Sequence, residues 1–507
     1  MSNTCTPARR NNESIQATSP IARTSATQIA DAGPAYASRS AGASRALGAL
    51  GLLGVFASVL LVAAGTASAP SRYVPARTGG WPSWLSGPLS DLGIGITANS
   101  FQILMLAMCA SYLLVLLAAR AIPIRALLAT IVAAHVILLL GPPLISQDVF
   151  GYLGFARLGA LHGLDPYTHV AAEAPADPVF LFVGWPFKLS PYGPLFTLAS
   201  YATAPLGLAV GLWALKAFAV ASSLGAVALL MLAAERLGRS PRWVAAFVGL
   251  NPVLLVLAVG GAHNDTLMML LLAAALALTA GDGARFRGGA GALVAAVGIK
   301  VTAGLVLPFL VLGSSTRARQ RLRVAASAAV SLAVLAGVGL IGFGTHALGF
   351  LSAVGEQQQL VATHSVPAET ARLVGLSGTP DWWRQLFILA FAIALVFALW
   401  RTARGADWRV AAGWTTLALL LSTAWLLPWY AIWVLPLAAV GGDRRLRTAT
   451  LLFCAYAILI HLPLADPLLS PQRVLAHRHP LVSPGGGDGL DLSRLQIPHH
   501  AALDLRW

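Results

Sequence analysis

Asp148 opens a segment in which charged and aromatic residues recur at helical spacing. If the segment is a helix, Tyr152, Phe155 and His162 fall on the same face as Asp148, because their spacings correspond to whole turns. A carboxylate at the end of an apolar run, with an aromatic ring and Arg157 further along, suits a general base that faces a lipid-borne substrate. The alternative is that Asp148 only caps the helix.

Three adjacent polar side chains, His263, Asn264 and Asp265, end a later apolar run and follow the glycine pair 260–261. Between them they can donate and accept hydrogen bonds, as binding the hydroxyls of a sugar requires. The alternative is a polar turn in which Asp265 caps the next helix. Because no second His or Cys stands at a ligand spacing from His263, we expect no metal site here.

Lys300 is a lone cation inside the apolar run 289–312. A charge at membrane depth is costly, so it normally faces a partner or a cavity. A phosphate would be a suitable partner, with Arg157 as a rival phosphate ligand and Arg384 as a weaker one. The alternative is that the Lys300 side chain only reaches out to the membrane surface.

Aromatic residues next to helix breakers mark further irregular segments. Tyr192 lies in the sequence SPYGP at 190–194, and the tripeptides at 184–186 and 428–430 pair Trp with Pro. Such residues commonly form an interfacial belt, whereas a functional interpretation makes the first two segments the wall of a sugar or lipid groove. The polar loop 345–383 is long enough to cover a cavity on the same side.

The elements that must position these residues are membrane-spanning helices. The 507-residue chain has 34 Lys and Arg against 19 Asp and Glu, yet only 10% of its residues are charged and 57% are apolar. A soluble domain carries about 25% charged residues. The composition excludes an ordinary cytosolic enzyme, a disordered protein and, with three cysteines, a disulfide scaffold. The basic residues cluster between apolar runs instead of alternating with aromatics, which argues against nucleic-acid binding.

The apolar runs predict an all-α, polytopic transmembrane helical bundle with about 11 to 13 spans. Basic clusters mark cytoplasmic loops, so the N-terminus is predicted to be cytoplasmic and the residues described above to face outward from the plasma membrane. A helical outer loop is predicted to follow the third span. The loops that this counting places outside are 69–97, 146–191, about 262–264, 345–383 and about 428–430.

The chain divides into three predicted parts. Residues 1–44 are polar and lack an apolar run, which predicts a disordered cytoplasmic tail. Residues 45–465 form the transmembrane domain, and 466–507 are predicted to be a flexible C-terminal tail. Two runs do not fit a simple alternation of sides: 193–211 is predicted to be interfacial or re-entrant, and 289–312 to be a hairpin broken near its lysine.

Four stretches in this order resemble the polyprenyl-phosphate-mannose-dependent α-1,6-mannosyltransferases of actinobacteria, the MptA/MptB type, which have the GT-C fold. The resemblance covers about residues 45–465, and the MptB branch is the closer one. The stretches are QDVFGY at 147–152, HGLDPY at 162–167, SPYGP at 190–194, and NP at 251–252 followed by GGAHND at 260–265.

The resemblance implies an enzyme that takes mannose from polyprenyl-phosphate-mannose and adds it, with inversion, to a lipid-anchored α-1,6-mannan, the core of lipomannan. It implies that Asp148 is the catalytic carboxylate and that no nucleotide sugar, metal or other cofactor takes part. Gln147 stands where a second acid would form a pair with Asp148, which favours chemistry without a metal. The other residues expected to contact donor or acceptor are Tyr152, Arg157, His162, Tyr167, Tyr192, His263, Asn264, Asp265 and Lys300.

A transporter or flippase for a lipid or sugar is the rival interpretation. It accounts equally well for the spans, the broken helices and Lys300. It accounts less well for the long outer loop that carries Asp148, and the sequence has no evident internal repeat.

Overall fold

A computed structural model describes residues 22–68, 73–74 and 82–461 of the chain. This part folds into α-helices joined by short 3-10 segments and contains no β-strand. The α-helices are α1 Ala22–Ala67, α2 Ser83–Ser86, α3 Ala98–Ala118, α4 Ile124–Leu140, α5 Asp148–His162, α6 Pro194–Tyr201, α7 Gly207–Arg236, α8 Pro241–Gly249, α9 Asp265–Leu278, α10 Phe286–Val297, α11 Leu307–Gly313, α12 Ala318–Phe343, α13 Gly349–Gln359, α14 Val366–Leu373, α15 Asp381–Ala403, α16 Trp408–Ser422, α17 Leu435–Gly441 and α18 Arg444–His461. The 3-10 segments are Pro88–Leu92, Ala171–Glu173, Pro178–Leu181, Ala204–Leu206, Val301–Val306, Gly344–His346 and Pro428–Trp433, and Val253–Val259 is a π-helix.

Long apolar helices dominate the described part of the chain. Five helical segments there are long and apolar enough to cross a membrane, and the bent pair of α8 and the π-helix makes a sixth. The five segments are Gly42–Ala67, Ala98–Ala118, Pro194–Arg236, Ala318–His346 and Asp381–Ala403. The prediction of an all-α, polytopic membrane bundle is confirmed, whereas the total number of spans stays a prediction because several further apolar helices are shorter.

The bundle has a lipid-facing flank and a packed interior. Only 11% of the apolar stretch of α15 is buried, against 50% of that in the segment Pro194–Arg236. A helix that exposes most of an apolar surface requires lipid around it. In the interior, α7 packs along α9, and α9 packs along α10. The residues of the candidate site therefore stand at the ends of helices that pack in the interior.

Asn251 and Pro252 interrupt the helical structure between α8 and the π-helix. Pro252 has no N–H to continue the helical hydrogen bonds, and Asn251 Oδ1 accepts from the Val253 amide at 3.0 Å. The two helical pieces are bent by 48°. π-Helices are rare in proteins, and those that occur are frequently found at functional sites. The π-helix ends at Val259, just before the polar triplet 263–265 at the start of α9.

Both runs that did not fit a simple alternation of sides are interrupted helices. In the run 289–312, α10 ends at Val297 and a 3-10 segment begins at Val301, so the helix is interrupted next to Lys300. That the run is a hairpin stays a prediction. In the run 193–211, α6 is followed by a 3-10 segment before α7 begins. Interrupted backbone at membrane depth is tolerated where it lines protein or a cavity.

The two predicted tails differ in how much of each the structure describes. The described part begins at Ala22, so residues 1–21 of the predicted tail 1–44 fall outside it, whereas residues 22–44 belong to the helix α1. The described part ends at His461, so the predicted tail 466–507 lies wholly outside it. The bounds of the three parts stay predictions.

Candidate functional site

Asp148 lies on the wall of an open cavity and does not cap its helix. As predicted, residues 148–162 form a helix, but the N-cap position of α5 is occupied by Gln147, and no side chain caps it. The Asp148 amide donates to Ser146 Oγ at 3.1 Å, which orients the start of the helix. The Asp148 carboxylate is 15% exposed and lines the cavity, where it could accept a proton from a bound molecule.

His263 lies directly behind Asp148. Its Nδ1 is 3.4 Å from Asp148 Oδ2, an ion-pair distance without the geometry of a hydrogen bond. The imidazole is fully buried and stacks on Trp429, with ring centroids 3.8 Å apart and planes inclined by 23°. Within the part of the chain that the structure describes, neither ring nitrogen has a hydrogen-bond partner. The imidazole is therefore positioned to influence Asp148, not to touch a molecule in the cavity.

Two residues with left-handed backbone lie just before these side chains. Ile145 has a φ of 66° and Ala262 a φ of 55°. This conformation is uncommon outside glycine, and for a β-branched residue it is a genuine outlier. The Leu144 amide donates to the Gly260 carbonyl at 2.9 Å and so ties the two loops together. Backbone strain is thus concentrated where the loops meet beside the cavity, as is common at functional sites.

Asp265 and Lys300 form an ion pair at the edge of the cavity. Lys300 Nζ lies 2.7 Å from Asp265 Oδ1, and Trp433 Nε1 donates to the same oxygen at 2.6 Å. The Lys300 ammonium also lies over the ring of Tyr430, 4.6 Å from its centroid. Among the described residues, Asp265 makes no capping bond to α9, so the capping alternative does not describe this structure. Lys300 lines the cavity and is paired with Asp265.

Tyr152 connects α5 to the start of α9. Its hydroxyl donates to Asn264 Oδ1 at 3.3 Å and accepts from the Asn264 amide at 3.3 Å. Its ring packs edge-on against Tyr192, with centroids 5.0 Å apart. Tyr152 and Asn264 are buried behind the wall, whereas Tyr192 is part of the wall.

The polar triplet 263–265 lies one layer behind the cavity. His263 and Asp265 are 0% exposed and Asn264 is 4% exposed, and none of the three lines the cavity. The aromatic residues of the segment Pro428–Trp433 contact the triplet and occupy the wall in front of it. That the triplet holds sugar hydroxyls directly stays a prediction.

The far end of α5 is held by an acid that the sequence did not single out. Arg157 Nε donates to Asp177 Oδ1 at 2.8 Å, and His162 Nε2 lies 2.8 Å from Asp177 Oδ2. Burial alone would raise the pKa of Asp177, but hydrogen bonds from Arg157, His162 and a backbone amide lower that pKa below its usual value. Neither Arg157 nor His162 lines the cavity. Both side chains bind Asp177, and their contact with a substrate stays a prediction.

Tyr167 also lies outside the cavity. Its hydroxyl donates to the Tyr192 carbonyl at 2.8 Å and to Thr197 Oγ1 at 3.1 Å. Its ring packs against Phe343, with centroids 4.5 Å apart. Tyr167 thus fixes the backbone of Tyr192, which is part of the wall, and its expected contact with substrate stays a prediction.

The cavity combines polar groups with aromatic walls, and an apolar crevice adjoins it. Among the described residues, no group of three or more His, Cys, Asp or Glu side chains is placed to hold a metal ion. The polar residues on the cavity wall include Ser146, Gln147, Asp148, Lys188, Lys300, Gln357 and Gln358. The aromatic residues are Phe155, Trp185, Tyr192, Trp425, Trp429, Tyr430 and Trp433. The crevice shares Thr302, Leu419 and Trp433 with the cavity and is otherwise lined by Met268, Leu272, Ala303, Leu305, Val306 and Thr416.

The sequence matches the family model described as Alpha-(1->6)-mannopyranosyltransferase, N-terminal domain, over residues 50–316, which is more than half of the chain. The chain belongs to this family. A second model, the MptB C-terminal domain, matches residues 371–477. The mannopyranosyltransferase domain match includes α5, the polar triplet and Lys300, so the predicted family resemblance is confirmed over the candidate site. No solved structure matches the chain.

Two curated relatives of this mannopyranosyltransferase family carry the name Alpha-(1->6)-mannopyranosyltransferase A. The protein from Mycobacterium tuberculosis is 31% identical over 356 residues, which cover 62% of this chain and 65% of the relative. The protein from Corynebacterium glutamicum is 34% identical over 191 residues, which cover 36% of this chain and 37% of the relative. The matched part thus spans less than two thirds of the length of each relative.

Three aromatic residues of this mannopyranosyltransferase family member escaped assignment from the sequence. Trp429 stacks on the histidine of the triplet, Trp433 donates to its aspartate, and Tyr430 lies under Lys300. Their position beside Pro428 signalled an irregular segment, but a helix break does not indicate which side chains it will meet. The loop 345–383 was noted only as long enough to cover a cavity, and residues of α13 within that loop line this one.

Proposed function

We propose that this protein is a membrane mannosyltransferase that moves mannose from polyprenyl-phosphate-mannose to a lipid-anchored α-1,6-mannan. The observation that supports it most is the position of Asp148: an acid without a capping role, on the wall of a cavity, within the segment that matches the mannopyranosyltransferase model. Fold membership alone does not determine chemistry, so the proposal depends on this site.

In the proposed reaction Asp148 acts as the general base. Its carboxylate takes the proton from the acceptor 6-hydroxyl while that oxygen attacks the anomeric carbon of the donor mannose. The bond between the anomeric carbon and the phosphate oxygen breaks, and polyprenyl phosphate leaves with the electron pair. A single displacement inverts a β-linked donor to an α-linked product. Lys300 lines the same cavity and would stabilise the charge that develops on the phosphate.

The buried residues behind the wall have supporting roles in this proposal. His263 faces the Asp148 carboxylate at 3.4 Å, and Asp265 fixes the Lys300 ammonium at 2.7 Å. Asn264 links α9 to Tyr152 on α5. Such a second layer holds the groups on the wall within the narrow tolerance that a displacement reaction requires.

The apolar crevice suits the isoprenoid chain of the donor. It opens from the cavity at Thr302, Leu419 and Trp433, and the other residues that line it are almost all apolar. A hydrocarbon chain that leaves the cavity there would remain between the 3-10 segment Val301–Val306 and α16. Burial of each methylene from water contributes about 0.8 kcal/mol, so even a short stretch of bound chain is significant.

The distribution of basic residues supports an outward-facing site in the plasma membrane. Arg409 stands at the start of α16, whereas Leu419 and Thr423, at its other end, line the cavity. The basic clusters between helices mark the cytoplasmic side, so the cavity would face outward and the N-terminus inward. The partners would then be the lipid-linked donor, the lipid-anchored mannan and membrane lipids, with no cofactor and no nucleic acid.

A transfer assay with purified protein tests the proposal against the transporter alternative. The protein in detergent would receive a synthetic polyprenyl-phosphate-[14C]mannose and a short α-1,6-mannoside acceptor. We expect labelled α-1,6-linked product, and replacing the donor sugar by glucose should reduce the yield. In a parallel measurement in liposomes, movement of the labelled lipid between leaflets without any transfer to acceptor would support a flippase and overturn the proposal.

A further inference from the structure

Lys188 is a cation on the cavity wall that the reaction proposed above leaves without a role. Its Nζ lies 3.7 Å from Glu356 Oε2, and the two side chains are 33% and 55% exposed. Ion pairs of this length and exposure contribute little to stability and exchange readily with other ions. The Lys188 charge is therefore available to a ligand in a way that a buried, closely paired charge is not.

The other cations near the site are more tightly held. Lys300 is paired at 2.7 Å with an aspartate that is itself fully buried, so much of its charge is already compensated. Arg157 is bound to Asp177 outside the cavity. Arg384 donates to Asp381 at 3.0 Å and to the Gln358 carbonyl at 2.6 Å, and it does not line the cavity.

The partner of Lys188 lies on the helix that covers the cavity. Glu356 belongs to α13, and the next two residues, Gln357 and Gln358, line the cavity wall. Arg384 holds the C-terminal end of this helix through the Gln358 carbonyl. The Lys188–Glu356 pair is thus a weak attachment of α13 to the loop that precedes α6.

We propose that Lys188 binds the phosphate of the lipid-linked donor and exchanges Glu356 for it, which releases this attachment of α13. The proposal rests on the function proposed above and adds the anion-binding residue. The donor is a phosphodiester with one negative charge, whereas the leaving polyprenyl phosphate is a monoester whose second ionisation occurs at about pH 6. A point charge such as an ammonium therefore attracts the leaving group more strongly than the donor.

Initial rates of mannosyl transfer, measured over a range of donor concentration, test the exchange. Lys188→Gln should lower kcat/KM about tenfold or more, because a charge contact to the phosphate is lost. Glu356→Gln should lower KM a few-fold, because Lys188 no longer has a competing partner. The expected order of kcat/KM is Glu356→Gln, then wild type, then Lys188→Gln. Equal values for Lys188→Gln and wild type would overturn the proposal.

A charge swap separates a phosphate ligand from a structural attachment. Lys188→Glu combined with Glu356→Lys restores an ion pair at the same place but moves the cation to α13. If Lys188 binds phosphate, the double variant should stay at least tenfold below wild type in kcat/KM while unfolding at the wild-type temperature. Recovery of wild-type activity by the swap would show that the pair acts only as an attachment and would overturn the proposal.

Binding of citronellyl phosphate keeps the test independent of turnover. Thermal unfolding of the purified protein would be followed with increasing citronellyl phosphate at fixed ionic strength. The concentration of citronellyl phosphate that gives half of the maximal rise in unfolding temperature measures its binding. We expect this concentration to rise about tenfold in Lys188→Gln and to fall in Glu356→Gln. If wild type binds this phosphate but transfers no mannose, the proposed function fails while the phosphate site stands. If wild type transfers mannose and Lys188→Gln binds normally, only this inference fails.

Discussion

Charged side chains stand at both ends of α5, but the two ends differ in how closely neighbouring residues pair with those charges. At the N-terminal end, Asp148 lies on the cavity wall with only a 3.4 Å ion-pair contact to His263. At the C-terminal end, Arg157 and His162 both approach Asp177 to 2.8 Å, outside the cavity. A charged side chain can therefore react with or bind a ligand only if its donors or acceptors are not already used by neighbouring residues.

The Lys300–Asp265 pair is intermediate between these two ends. It is as short as the contacts of Asp177, but Lys300 also lines the cavity. This pair should therefore affect both stability and activity. Asp148 should affect mainly activity, and Asp177 mainly stability.

The largest expected effect on stability is that of Lys300→Met. The variant leaves Asp265 fully buried and charged without its cation, which should cost about 3–5 kcal/mol of unfolding free energy. Transfer activity should also be lost if the cation stabilises the leaving phosphate. Denaturant unfolding in detergent measures the first effect. In the double variant with Asp265→Asn, stability should recover in part while activity does not, and full recovery of both would contradict the intermediate role.

Asp177→Asn should destabilise the protein without removing its chemistry. Arg157 would lose its closest partner in a mostly buried position, at a cost of about 3 kcal/mol. The folded fraction should transfer mannose at a rate within a few-fold of wild type, because Asp177 does not line the cavity. Activity per folded molecule, with the folded fraction determined by size-exclusion chromatography, is the measurement. A selective loss of kcat would place this end of α5 in the reaction.

Leu305→Trp should change the preference of the protein for the length of the donor chain. Leu305 lines the crevice but not the cavity, so a larger side chain should obstruct only the isoprenoid. The KM for a long-chain donor should rise about tenfold, equivalent to about 1.4 kcal/mol, while the KM for a citronellyl donor stays unchanged. Leu421→Trp, an exposed position on α16, is the matched control. An equal rise in KM for both donors would show that the crevice does not bind the isoprenoid chain.

The smallest expected effect is an acid dependence of stability from Asp177. Because hydrogen bonds lower the pKa of Asp177 in the folded protein, its contribution is fully present above the unfolded pKa of about 3.9. Stability should therefore be insensitive to Asp177 between pH 7 and pH 5, in round numbers, and should decrease as pH falls further through the lowered pKa. Asp177→Asn should flatten this decrease. If the stability of the variant decreases equally steeply with falling pH, other groups cause the decrease.

The sequence predicted those features that depend on local pattern. The helical spacing from Asp148 to His162 predicted α5. The alternation of sides predicted the break near Lys300, because a single span over the run 289–312 does not fit between two clusters of basic residues on the same side. The length of the polar loop 345–383 made it large enough to cover a cavity, but length alone assigned it no role.

Partners distant in sequence could not be predicted. Asp177 is 20 residues from Arg157, and Asp265 is 35 residues from Lys300, so neither pairing follows from helical spacing. Helical spacing also places Asp148 and His162 on one face without showing that the two ends of the helix meet different surroundings. The aromatic wall of the cavity depends on how the segment Pro428–Trp433 packs against α9, which is a tertiary property.

The most direct test of the central claim is the initial transfer rate of Asp148→Asn with a short-chain polyprenyl-phosphate-mannose donor. Loss of the base should lower kcat by about 10²–10⁴-fold while the unfolding temperature stays at the wild-type value. Asp91→Asn, at an exposed position outside the cavity, is the matched control and should retain full activity. A rate for Asp148→Asn within a few-fold of wild type would contradict the account.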